Sequence, residues 1–121
     1  MTLEEYNAFC TSLDHTTHVV QWGGSHVWKI GGKVFAIGGV NGPEGFRVSF
    51  KVSPLAFDIL KEQPGCQGAP HLASRGMKWI QRFSDAAMDD AALKAYLLES
   101  YRLVSLGLTK KLQKELGLNQ G

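Results

Sequence analysis

Apolar and polar residues alternate without a break from Phe46 to Val52. Phe46, Val48, Phe50 and Val52 fall on one side of an extended chain, and Arg47, Ser49 and Lys51 fall on the other. The pattern predicts a strand with a buried face and a basic one. A second alternation runs through MKWIQRF, from Met77 to Phe83. It groups Lys78, Ile80 and Arg82 on one face, and Met77, Trp79, Gln81 and Phe83 on the other. HVWKI and KVFAI flank Gly31-Gly32 and predict a tight hairpin, because glycine accepts the positive φ such a turn needs. HTTHVVQW, before them, is β-branched and predicted to be extended. GGVNGPEG, from Gly38 to Gly45, reads as a longer hairpin loop.

Helical spacing appears at both ends and once in the middle. Thr2 followed by Glu5 forms a capping-box pattern, which predicts a helix from about Leu3 to Leu13. Ser53-Pro54 supplies an N-cap and a proline at the first helical position, opening a helix to about Glu62. Gln63 to Gly76 carries no clear period. Asp89 or Asp90 caps the longest helix, whose Leu93, Tyr96, Leu97, Tyr101 and Val104 recur at helical spacing to about Leu106. After a bend at Gly107, Thr109 opens a short last helix that stops at Gly117. Together these elements predict one α+β domain over residues 1–121. It has an antiparallel sheet of about four to five strands, with helices packed on one face. The other face is expected to be solvated. Arg47, Lys51, Lys78 and Arg82 are expected to share it.

Charge adds a direction to this picture. Lys and Arg number 13 against 11 Asp and Glu, a formal net charge of +2. Met1 to Trp28 holds three acids and no Lys or Arg, whereas Lys29 to Arg82 is basic. The last helix starts with Lys110 and Lys111, at the end where the helix dipole disfavours cations by roughly 0.3–1 kcal/mol each. A phosphate on its free N–H groups would offset that cost. No apolar run approaches the roughly 18 residues of a membrane span, and MTLEEY does not read as a secretory signal. Cys10 and Cys66 lack ligand-like spacing and are expected to be free buried thiols in a reducing cytoplasm. His15, His18, His26 and His71 define no metal-site pattern. No nucleophile motif or phosphate-binding loop is present, so neither an enzyme nor a cofactor is expected. Trp22, Trp28 and Trp79 are expected in or near the core. A tryptophan on the open sheet face would instead be a stacking or partner anchor.

Four pieces in order carry a resemblance: WKIGGKVFAI, RVSFKVSP, the single Trp79 after a loop, and the tail SYRLVSLGLTKKLQKELGL. Together they resemble the MmcQ/YjbR family over nearly the whole chain. The resemblance implies a small α+β protein with a CyaY-like, frataxin-like sheet topology. It also implies DNA binding, with two hairpins acting as wings. The iron function of frataxins is not implied, because their acidic first-helix ridge is reduced here to Glu4, Glu5 and Asp14. The expectation is a cytoplasmic monomer that contacts double-stranded DNA through its phosphates. Arg47, Lys51, Lys78 and Arg82 would act on the sheet, Lys29 and Lys33 beside the first wing, and Lys110 and Lys111 at the last helix. The alternative is a protein-interaction module that uses the open sheet face without nucleic acid.

Overall fold

The computed structural model describes residues 1–39 and 45–121. Six strands form one antiparallel sheet: β1 (Thr16–Gln21), β2 (Ser25–Ile30), β3 (Lys33–Gly38), β4 (Val48–Lys51), β5 (Cys66–Gly68) and β6 (Trp79–Arg82). Their spatial order is β1-β2-β3-β4-β6-β5. Four helices complete the fold: α1 (Leu3–Ser12), α2 (Pro54–Leu60), α3 (Asp90–Leu106) and α4 (Lys110–Leu116). The class is the expected one, α+β with an antiparallel sheet. The strand missing from the sequence reading is β5, three residues inside the segment without a period. It has too few positions to show alternation, and its pairing with β6 defines it.

The helix ends follow local chemistry. The Thr2 hydroxyl accepts the Glu5 N–H at 3.1 Å, and the Glu5 carboxylate accepts the Thr2 N–H at 2.9 Å. These bonds satisfy donors that the first helical turn leaves open. Ser53, Asp89 and Thr109 cap α2, α3 and α4 in the same way through one side-chain oxygen each. Gly117 ends α4 at a φ of +70°, a left-handed conformation that glycine adopts freely.

The long helix α3 lies across β2, β3 and β4. Leu93, Leu97 and Val104 meet Val48, Phe50, Ile80 and Phe35 in one core, which α1 completes with Tyr6 and Cys10. Val48, Phe50 and Val52 are buried as expected, and Phe46 is half-buried with its ring 5.5 Å from that of Tyr6. Cys10 and Cys66 are free and buried. Burial pushes the Cys10 thiol up to about 12, so it stays protonated at neutral pH.

One irregularity positions α3. The β2–β3 register passes from Trp28↔Ala36 to Lys29↔Val34, so Phe35 is an extra residue, a β-bulge. Phe35 and Ala36 are adjacent, yet both are fully buried. The β3–β4 ladder also ends at Ala36↔Phe50. Beyond it, the buried Ser100 hydroxyl of α3 donates to the Phe35 carbonyl at 2.6 Å and accepts the Lys51 N–H at 2.8 Å. A helix side chain thus bridges two strands where their own pairing stops.

Ser100→Ala is expected to leave both backbone groups without their partner. At roughly 1–3 kcal/mol for each buried unsatisfied group, the loss should be about 2–4 kcal/mol. Urea denaturation reads it as a lower midpoint at unchanged slope. A loss below about 0.5 kcal/mol, the range of a surface change, would show that the bridge is dispensable.

Candidate nucleic-acid interface

The register decides which side chains leave the sheet opposite the helices. Ser49 pairs with Ile37 on one side and Gln81 on the other, and Gln81 pairs with Gln67. These form one row on the open face. Arg47 and Lys51 lie two residues either side of Ser49 and point the same way. Their Cα atoms are therefore about 13 Å apart. Lys29 of β2 joins them, because its neighbours Trp28 and Ile30 point into the core. None of the six strands contains Asp or Glu. Every described acidic residue lies on a helix or in a segment flanking one. Among the described residues, Lys29, Arg47 and Lys51 make no ion pair. Among the described residues, the open face therefore carries cations that no acid pairs, and the acids lie on the helices or in the segments that flank them.

The other expected cations do not join this face. Arg82 pairs with Val48, so it points towards the helices and is only 3% exposed. Its guanidinium donates to the Met88 carbonyl at 3.1 Å and to the Asp90 carboxylate at 3.0 Å. The expected face of β6 is corrected here: the Lys78, Ile80 and Arg82 set belongs to the core side, because Ile80 pairs with Phe50. Lys78 accordingly rests its ammonium 4.8 Å from the centre of the Phe57 ring of α2, a cation–π contact. Lys33 donates to the Gly107 carbonyl at the end of α3 at 3.0 Å, where the helix dipole favours a cation. Lys110 and Lys111 are exposed on α4, which follows that same helix end. Lys33, Lys110 and Lys111 thus belong to a second basic region, built around the end of α3 and apart from the open-face row.

Of the two hairpins expected as wings, Gly31-Gly32 is tied to the helix layer. A Cβ at Gly31 would stand 2.7 Å from the Leu108 side chain and would have to displace it, at a φ of +58° that favours glycine. Val40 to Glu44, in the second hairpin, lie outside the described residues.

The open face also holds what the pattern of charges did not announce. A cavity of about 550 Å³ has Ile37, Ser49 and Gln81 on its floor. The chain from Ala69 to Leu72, with Arg75, walls one side, and Trp22 with Ser25 walls the other. Trp22 is 62% exposed, unlike Trp28 and Trp79, at 5% each. It sits in the β1–β2 turn at a φ of +52°, and His71 on the facing wall has a φ of +68°. Left-handed backbone costs a bulky residue on the order of 1–3 kcal/mol. The Trp22-Gly23-Gly24 triplet was the available signal: a glycine pair after an extended run marks a turn, and that turn lifts the tryptophan out of the core. Arg75 gave none, because a single 3₁₀ turn such as Ala73–Arg75 is too short to show a period.

The Arg82–Asp90 pair makes a separate prediction. Hydrogen bonds from the Met1 amine and from Arg82 hold the Asp90 carboxyl below its usual range. A lowered folded pKa stabilises above the unfolded value, about 3.9, and that contribution fades as pH falls through the folded value. Asp90→Ala should therefore cost about 1–2 kcal/mol at pH 7, discounting for the half-open carboxylate. The difference from wild type should shrink below pH 3. Denaturation at the two pH values tests this, and an equal difference at both would contradict it.

The comparisons with known proteins agree with this architecture. The YjbR family model matches residues 11–103. The crystal structure of protein DR2400 of Deinococcus radiodurans superposes with a TM-score of 0.85 at 25% identity, covering 99% of this chain and 91% of that one. A protein of Pseudomonas syringae superposes with a TM-score of 0.67 at 18% identity, over 85% of this chain and 98% of that one, a likeness of fold. No curated protein matches the chain significantly. The matched span runs from the end of α1 through the sheet and most of α3, so it includes the bulge, the Ser100 bridge and the open face alike. The chain belongs to the YjbR family.

Proposed function

We propose that this protein binds nucleic acid, with duplex DNA as the expected form, through the open face of its sheet. The observation that carries the reading is the charge distribution: Lys29, Arg47 and Lys51 on one face, with the described acidic residues on helices or in the segments flanking them and none in the strands. Phosphate backbones are attracted to such a face regardless of sequence. Ser49 lies between Arg47 and Lys51 and adds a neutral hydrogen-bond donor. Arg75, on the cavity wall, extends the positive region beyond the strands. The role is binding rather than catalysis, and the two free thiols support a reducing cytoplasm as its setting. The alternative, a protein partner on the same face, draws on the exposed Trp22.

Four cations on duplex phosphates give an expected slope of log affinity against log salt of about −3 to −4. Arg47→Glu with Lys51→Glu should weaken binding to all sequences alike. Lys110→Glu with Lys111→Glu, in the second basic region, should cost much less. Fluorescence anisotropy with a labelled duplex at several salt concentrations measures all three. A flat salt response, or no binding at low salt, would favour the protein-partner reading.

A further inference from the structure

We propose that the cavity beside Trp22 is a binding site for a small planar organic anion, a flat apolar ring carrying one acid group. This inference does not rest on the nucleic-acid reading, although the two share Ser49 and Arg75. The volume, about 550 Å³, falls within the range of small-molecule sites. The lining divides by chemistry. Trp22, Ile37 and Leu72 offer apolar and aromatic surface for a ring. The polar groups are donors without acidic competitors, for no described lining residue is Asp or Glu.

Several of those donors are uncommitted. Arg75 makes no ion pair among the described residues. Ser49 makes no side-chain hydrogen bond among the described residues, and its hydroxyl is not one of the buried polar atoms, so it is open to the cavity it helps to line. Gln81 uses its carbonyl oxygen to accept from Gln67 at 2.8 Å, which leaves its amide N–H groups free to donate. An accessible hydroxyl and a spare amide beside a free guanidinium suit a carboxylate or phosphate.

Backbone strain supports the same site independently. Of the four described non-glycine residues with positive φ, two, Trp22 and His71, line this one cavity. Trp22 sits strained and exposed at a turn where glycine would be relaxed. Core packing does not account for a large aromatic residue held in that way, whereas a ring seated against it does.

Isothermal titration of the purified protein with 2-naphthoate tests the proposal, with 2-naphthylmethanol as the neutral control and acetate as the charge without a ring. Adenosine monophosphate, which replaces the carboxylate by a phosphate, forms a parallel arm. The expected result is saturable binding of at least one of the two ring-bearing anions, with Kd about 1 mM or tighter, and at least tenfold weaker binding of both controls. Whichever anion binds more tightly assigns the acid group. Arg75→Gln should weaken the anion about tenfold or more and leave the neutral control unchanged. Trp22→Gly should weaken both ring compounds while the ligand-free melting temperature holds or rises, because glycine relieves the left-handed backbone. Neither variant is in the core, so both should fold. Absence of binding by both ring-bearing anions overturns the proposal. Binding that both variants leave unchanged overturns it equally.

Discussion

One hydroxyl holds the helix layer to the sheet. The bulge at Phe35 turns two consecutive residues of β3 into the core and ends the β3–β4 ladder at Ala36↔Phe50. A carbonyl and an N–H at that break would be buried without partners, at several kcal/mol together. Ser100 satisfies both from α3. The bridge fixes the depth of α3 as well as its position along the sheet, because a hydrogen bond tolerates only a few tenths of an ångström. Leu93, Leu97 and Val104 then enter the core at set positions.

The same constraint separates the two faces chemically. Once α3 and α1 occupy one face, every helix-borne carboxylate is placed on that side or at its edges. The strands contribute cations and no acids. Lys51 shows the coupling most directly. Its backbone N–H is held by Ser100 on the helix side, while its exposed side chain belongs to the open face. Arg82 shows the opposite choice. It serves the core side, where Asp90 and the Met88 carbonyl compensate its burial, and it is lost to any surface role.

Periodic and capping signals were legible in the sequence. The alternation from Phe46 to Val52 named the buried face of β4; Thr2, Ser53 and Thr109 marked three helix starts, and the Asp89-Asp90 pair marked the fourth, with Asp89 as the cap. Relations between elements were not legible. In β6 both alternating sets mix apolar and polar residues, so only the pairing of Ile80 with Phe50 tells which set faces inward. Arg82 was therefore expected on the wrong face. Ser100 lay in an apolar helix pattern, and nothing local revealed that two strands would need its hydroxyl. The cavity is assembled from β1–β2, the sheet floor and the segment after β5, whose contacts are too distant in sequence for any periodic signal.

The central claim is that the helix-covered face makes the fold and the open face does the binding. Amide chemical-shift mapping by NMR, with a short duplex added at low salt, tests it most directly. The account predicts shifts concentrated at Lys29, Arg47, Ser49, Lys51 and Arg75, with α1 and the middle of α3 unmoved. Shifts centred on Lys33, Lys110 and Lys111, with the open face silent, would contradict it.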